Sequence, residues 1–117
     1  LMAQRAGHSI YLENAMALYK RNEGKHTSAA EAKRNILLHL HRNGVTDSLA
    51  GISKSALGFA AFPDYDFARP QGAAFAVAKV VRELEEDGLV GWYVDTNRRG
   101  GYYLKTKGQQ AATEIIG

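Results

Sequence analysis

The sequence predicts an α+β fold that is mostly helical: a three-helix core followed by a C-terminal β-hairpin, with an added helix at the N-terminus. Three observations carry this. Apolar residues recur at helical spacing over 28–42, 53–60 and 70–87. After Gly88 the period changes from 3.6 to 2. A turn holding Arg98-Arg99-Gly100-Gly101 then separates two short runs rich in Val, Trp and Tyr. The 117 residues, 45% of them apolar, suffice for one core. They divide into an N-terminal helix or arm over 1–26 and a domain over 27–117.

Taken in order, Ser9 caps a helix that is expected to run to Arg21. Ile10, Leu12, Ala15, Met16, Leu18 and Tyr19 supply its apolar positions, and Asn22-Glu23-Gly24 ends it. Ser28-Ala29-Ala30-Glu31 is a capping box and opens the next helix. Its apolar stripe is Ala29, Ala32, Ile36, Leu37 and Leu40, with Lys33 and Arg34 towards the outside and Asn43-Gly44 as the stop. Val45 to Gly51 reads as a loop. Ser53 caps a short helix through Ala56, Leu57, Phe59 and Ala60, and Phe62-Pro63-Asp64-Tyr65-Asp66 breaks it. Pro70 fits the first turn of the longest helix, which runs to Asp87. One face of that helix holds Ala73, Ala74, Val77, Val80, Val81 and Leu84. At about 100° per residue, Gln71, Phe75, Lys79, Arg82 and Glu86 fall on the other. Leu89 to Asp95 and Tyr102 to Lys105 are strands, and Gln109 to Ile116 a final short helix.

Composition excludes several classes. No apolar run approaches the roughly 20 residues of a membrane span. The chain has no cysteine, so disulfide scaffolds, thiolate metal sites and cysteine nucleophiles are out. The first residues do not read as a signal peptide. His39 and His41 lie two apart on a helix, so they point about 200° apart and cannot hold one ion. No metal, no cofactor and no enzyme active site is expected: there is no nucleophile elbow, phosphate loop or paired acidic site. The net charge is +3. Residues 1–44 hold seven Lys/Arg against three Asp/Glu, residues 45–88 four against seven, and residues 89–117 four against two. The acidic middle owes most to Glu83, Glu85, Glu86 and Asp87, at one end of the long helix.

Two runs carry a family resemblance. They are Val80-Val81-Arg82-Glu83-Leu84-Glu85-Glu86-Asp87-Gly88-Leu89-Val90 and Arg98-Arg99-Gly100-Gly101-Tyr102-Tyr103-Leu104-Lys105-Thr106-Lys107-Gly108. Together they resemble the winged-helix superfamily, in particular bacterial transcription regulators of the MarR and PadR kind. The resemblance implies a winged helix that binds double-stranded DNA in a sequence-specific manner. It implies a cytoplasmic regulator, a repressor, acting as a homodimer and encoded by a bacterium, an archaeon or a phage. The exposed face of the recognition helix would carry Gln71 for adenine, Phe75 for a thymine methyl, and Lys79 and Arg82 for phosphate or guanine. Arg69 precedes that helix. Ser53, Lys54 and Ser55 would meet phosphate, and the wing arginines Arg98 and Arg99 phosphate or a narrow minor groove. Each assignment has a plainer counterpart. Lys79 and Arg82 pair with nearby acids, Phe75 is covered by the loop over 63–69, and the tyrosines and Trp92 pack the hairpin. Dimerisation would use Ile10, Leu12, Met16, Leu18, Tyr19 and Ile115, on helices too short to stand alone. The rival reading is a protein-interaction module, with Phe62, Tyr65 and Phe67 on its contact surface.

Overall fold

The computed structural model describes the backbone of Tyr19–Arg21 and the whole of residues 27–117. In chain order these form β1 (Tyr19–Arg21), α1 (Ala29–Arg42), a 3-10 turn (Ser48–Ala50), α2 (Lys54–Ala61), β2 (Tyr65–Phe67), α3 (Pro70–Glu86), β3 (Val90–Val94), β4 (Gly100–Leu104) and α4 (Thr106–Ile116). The fold is α+β and mostly helical, with two small antiparallel sheets, β1–β2 and β3–β4.

Local chemistry sets the helix ends. Ser28 Oγ accepts from the Glu31 amide at 3.1 Å, and the Glu31 carboxylate accepts from the Ser28 amide at 3.0 Å. This is the expected capping box, and the Ser28 amide, with help from its hydroxyl, holds the Glu31 carboxyl below the usual carboxylate range. Ser53 Oγ accepts from the Ala56 amide at 3.2 Å and starts α2. Asp47 does the same for the 3-10 turn, accepting from Leu49 and Ala50. α1 and α3 both end in Schellman closures, Val45 N–H to Leu40 C=O and Leu89 N–H to Leu84 C=O.

One core unites the elements. Ile36 and Leu40 of α1, Leu57 of α2, Val77, Val81 and Leu84 of α3, Val90 of β3 and Leu104 of β4 are all fully buried. Ala112 of α4 closes one side. α2 crosses α3 at close range: a Cβ on Gly58 would lie 2.2 Å from the Ala73 carbonyl oxygen. Only glycine allows backbones to approach so nearly. Lys33 of α1 reaches Glu83 of α3 at 2.9 Å, a bridge that raises the lysine pKa and lowers the glutamate pKa. Lys33 is therefore a contact between helices rather than a free outward cation.

Four expectations change. The helix expected to end at Arg21 has its last three residues in β1, paired antiparallel with β2 as Tyr19–Phe67, Lys20–Asp66 and Arg21–Tyr65. Ladder hydrogen bonds to a distant segment outweigh local helical spacing there. The break after α2 correspondingly includes a short strand, Tyr65–Phe67, between turn residues. Ala29, placed on the apolar stripe of α1, is exposed; it is the first helical residue and points away from the core. The last helix starts at Thr106, three residues early, because its first turn closes on the Lys105 carbonyl, and Gly108 is buried within it. No helix among the described residues is long and apolar enough to cross a membrane.

Candidate nucleic-acid interface

The N-terminus of α2 gathers three of the expected residues. Ser53 caps it, Lys54 is exposed, and the Ser53 and Ser55 hydroxyls lie 3.3 Å apart. Arg69 is the exposed N-cap of α3 and makes no side-chain cap bond. Gln71, Phe75, Lys79, Arg82 and Glu86 are all exposed along α3, while Gly72, Ala73, Val77, Val80, Val81 and Leu84 are buried. The expected division of faces holds, with Ala74 half-buried at its edge. Phe75 is 42% exposed, so it is partly and not wholly covered. Lys79 and Arg82 act on Glu83, and their fields help to lower its pKa after the dominant effect of Lys33.

The hairpin is built around Asp95. Its Oδ1 accepts from the Asn97 amide at 2.9 Å and the Arg99 amide at 2.8 Å, and its Oδ2 lies 3.5 Å from Arg99 Nε. Arg98 takes φ 61°, in the left-handed region, which helps to reverse the chain. Arg98 and Arg99 are both exposed, and one of the two faces a carboxylate. Asp95 was not singled out from the sequence. The signal was there: an aspartate at the head of a polar turn accepts from amides two and four residues on.

Gly100 and Gly101 are not turn residues. They begin β4, which pairs with β3 from Val94–Gly100 to Val90–Leu104. A third segment joins them: Ile52 and Tyr102 exchange two backbone hydrogen bonds, at 2.9 and 2.8 Å. Here Gly51 meets Gly101, and a Cβ on Gly51 would lie 2.4 Å from the Gly101 amide nitrogen. The hairpin is thus fastened one residue before the Ser53 cap of α2. Lys107 donates from Nζ to the Asp87 carbonyl at 2.9 Å and so caps the C-terminus of α3.

The aromatic segment thought to favour a protein partner is largely internal. Phe62 is buried, Tyr65 and Phe67 pack against the core, and the Phe62–Tyr65 rings meet tilted at 4.7 Å and the Phe59–Phe67 rings edge to face at 5.3 Å. Phe59 of that segment is nonetheless exposed, and other exposed large apolar residues are Leu49, Phe75, Ile115 and Ile116, with Trp92, Tyr93 and Val94 together on β3. Trp92 is 56% exposed, although its ring neighbours Tyr102 at 6.5 Å. Of the proposed dimer residues, Ile10, Leu12, Met16 and Leu18 lie outside the described residues. Tyr19 is in β1, and Ile115 is exposed on α4. Among the described residues no group of three potential ligands could hold a metal ion. No family model, curated protein or solved structure matches this chain.

Proposed function

We propose that this protein binds double-stranded DNA in a sequence-specific manner as a transcriptional regulator, a repressor acting as a homodimer. In this reading α2 and α3 are the two helices of a helix-turn-helix and the β3–β4 hairpin is a wing, as in the MarR- and PadR-like regulators that the sequence resembles. The observation that carries it is that Gln71, Lys79 and Arg82 are exposed, with Phe75 partly so, on a helix whose other side is sealed in the core. A helix of this kind fits the major groove. Two features support the reading. The first turn of α2 offers amides, Lys54 and two hydroxyls to a phosphate. The hairpin carrying Arg98 and Arg99 is hydrogen-bonded to the residue just before that turn.

The test is an electrophoretic shift with random duplex DNA and with the DNA upstream of the gene. Specific retardation of the upstream fragment is expected, with log K falling linearly against log salt. Replacing Arg98 and Arg99 by alanine should weaken binding and flatten that slope by about one to two phosphate contacts. Unchanged affinity would remove the wing from the interface. The exposed Leu49, Trp92, Tyr93 and Val94 favour a second reading, a protein-interaction module. In that case complex formation barely responds to salt and fails on Trp92→Ala.

A further inference from the structure

We infer that the outer edge of β3 is the contact between two copies of this chain, joined as an antiparallel pair of β3 strands centred on Trp92. The inference rests on the homodimer of the proposed function, and not on its binding of a duplex. Tyr102 directs its backbone amide and carbonyl to Ile52, and the Leu104 amide donates to the Val45 carbonyl, both on the side away from β3. The Lys105 amide donates to the Leu89 carbonyl, and the Asp95 amide to the Arg99 carbonyl. Bonded and non-bonded pairs alternate along an antiparallel ladder. In the register Val90–Leu104 to Val94–Gly100, the β3 residues bonded to β4 are therefore Gly91 and Tyr93. Val90, Trp92 and Val94 turn their N–H and C=O groups outward, and no strand among the described residues pairs with them.

An open edge is a template for another strand. From Leu89 to Val94 this one has no charge and no proline, the usual guards, whereas the β1–β2 sheet has Lys20, Arg21 and Asp66. Trp92, Tyr93 and Val94 are large, apolar and exposed along it. Two features make the occupant a second copy. The first is symmetry. Identical strands in antiparallel array are related by a two-fold axis, so each edge satisfies the other. With the axis at Trp92, Val90 meets Val94 of the second copy, and roughly six backbone hydrogen bonds form. Trp92, whose ring already neighbours Tyr102 at 6.5 Å, then lies beside Trp92 of the second copy. On the opposite face Tyr93 lies beside Gly91 of the second copy, where the Tyr103 ring fills the space of a Cβ. The second feature is charge. Beyond Val94 stand the exposed Arg98 and Arg99, and before Val90 the exposed Glu85, Glu86 and Asp87. Antiparallel pairing brings the arginine end of each copy to the acidic end of the other. The acids that duplex binding leaves unused thus gain a role. Arg98 and Arg99 are common to both contacts, so the test acts on the strand.

The experiment is size exclusion with light scattering on the full chain over a concentration series, native and Val94→Pro. Proline suits an edge residue whose amide is not bonded to β4, and it removes a donor that only the second copy would use. A native dimer is expected, with its dissociation constant raised about 5- to 100-fold in the variant. Two further measurements stand even if that variant does not fold. The chain has no cysteine, so Trp92→Cys supplies a single thiol. Across the axis its Cα lies about 5.5 Å from that of the second copy, and it should oxidise in air to a disulfide-linked dimer. Tyr93→Cys, set opposite Gly91 of the second copy, should not. In the native chain, amide exchange at Trp92 and Val94 should slow as concentration rises, while Gly91 and Tyr93 stay protected throughout. A dimer that Val94→Pro leaves intact, with exchange at Trp92 and Val94 independent of concentration, overturns this inference and keeps the homodimer. A native monomer at micromolar concentration overturns both and leaves the edge to a strand of another protein. Duplex binding is then decided separately, by the electrophoretic shift.

Discussion

Gly58 and Asp95 show how single residues set the geometry of the candidate interface. A methyl at position 58 meets a backbone carbonyl, which cannot rotate away, so α2 and α3 must separate. Gly58→Ala gains helix propensity of about 0.5–1 kcal/mol, yet the clash should cost about 1–3 kcal/mol. The expected net result is a lower urea midpoint and weaker duplex binding. A stabilised variant would show that the crossing has slack. Asp95 couples shape to charge. Asp95→Asn keeps an oxygen for the Asn97 and Arg99 amides and removes the anion beside Arg99. Duplex affinity at low salt should rise, with a steeper salt slope, as read by fluorescence anisotropy. An unchanged slope would mean that Arg99 does not approach phosphate. At this scale the sequence was partly legible. Exposure of Gln71, Lys79 and Arg82 followed from helical period alone. The roles of Gly58 and Lys107 did not, since each depends on an atom many residues away.

Elements with local signals were read well, and those made by distant pairing were not. α1 carries its own cap, period and stop, and α3 an opening Pro70, a period and a stop, so their spans differ from expectation by a residue or so. β1 has no such signal. Its partner is β2, some 46 residues on, and the same Tyr-Lys-Arg run fits a helix equally well until that partner is known. The capping box makes α1 sensitive to acid. Glu31 has a folded pKa below its unfolded value, so its stabilisation is complete above the usual carboxylate range and disappears as pH falls through the folded pKa. Thermal unfolding should therefore separate the native chain from Glu31→Ala at neutral pH and bring the two together once the pH has fallen below the folded pKa. Ser28→Ala removes the other half of the box and should cost about 1 kcal/mol at neutral pH. A gap between native chain and Glu31→Ala that does not vary with pH would show that the carboxylate contributes by packing alone.

For the whole molecule, the charge pattern and the assembly remain the tests. The acids that tip the middle of the sequence negative lie at the C-terminal end of α3, or in the bridge to Lys33, and leave the N-terminal half of that helix clear. Net charge alone gave no hint of this, because a composition has no faces. A homodimer is expected at micromolar concentration by size exclusion with light scattering; a monomer there would remove it. The contact of Gly51 with Gly101 has a consequence for variation. Backbone lies on backbone at that point, so neither position admits a side chain. Beyond it the chain from Asn97 to Arg99 projects into solvent, tied mainly to Asp95. The tip is thus a replaceable cartridge in a fixed socket. Loops of other length or sequence should be accepted between Asp95 and Gly100 while the helices beneath keep their places, which under the proposed function offers a route to new duplex preferences without redesigning the scaffold.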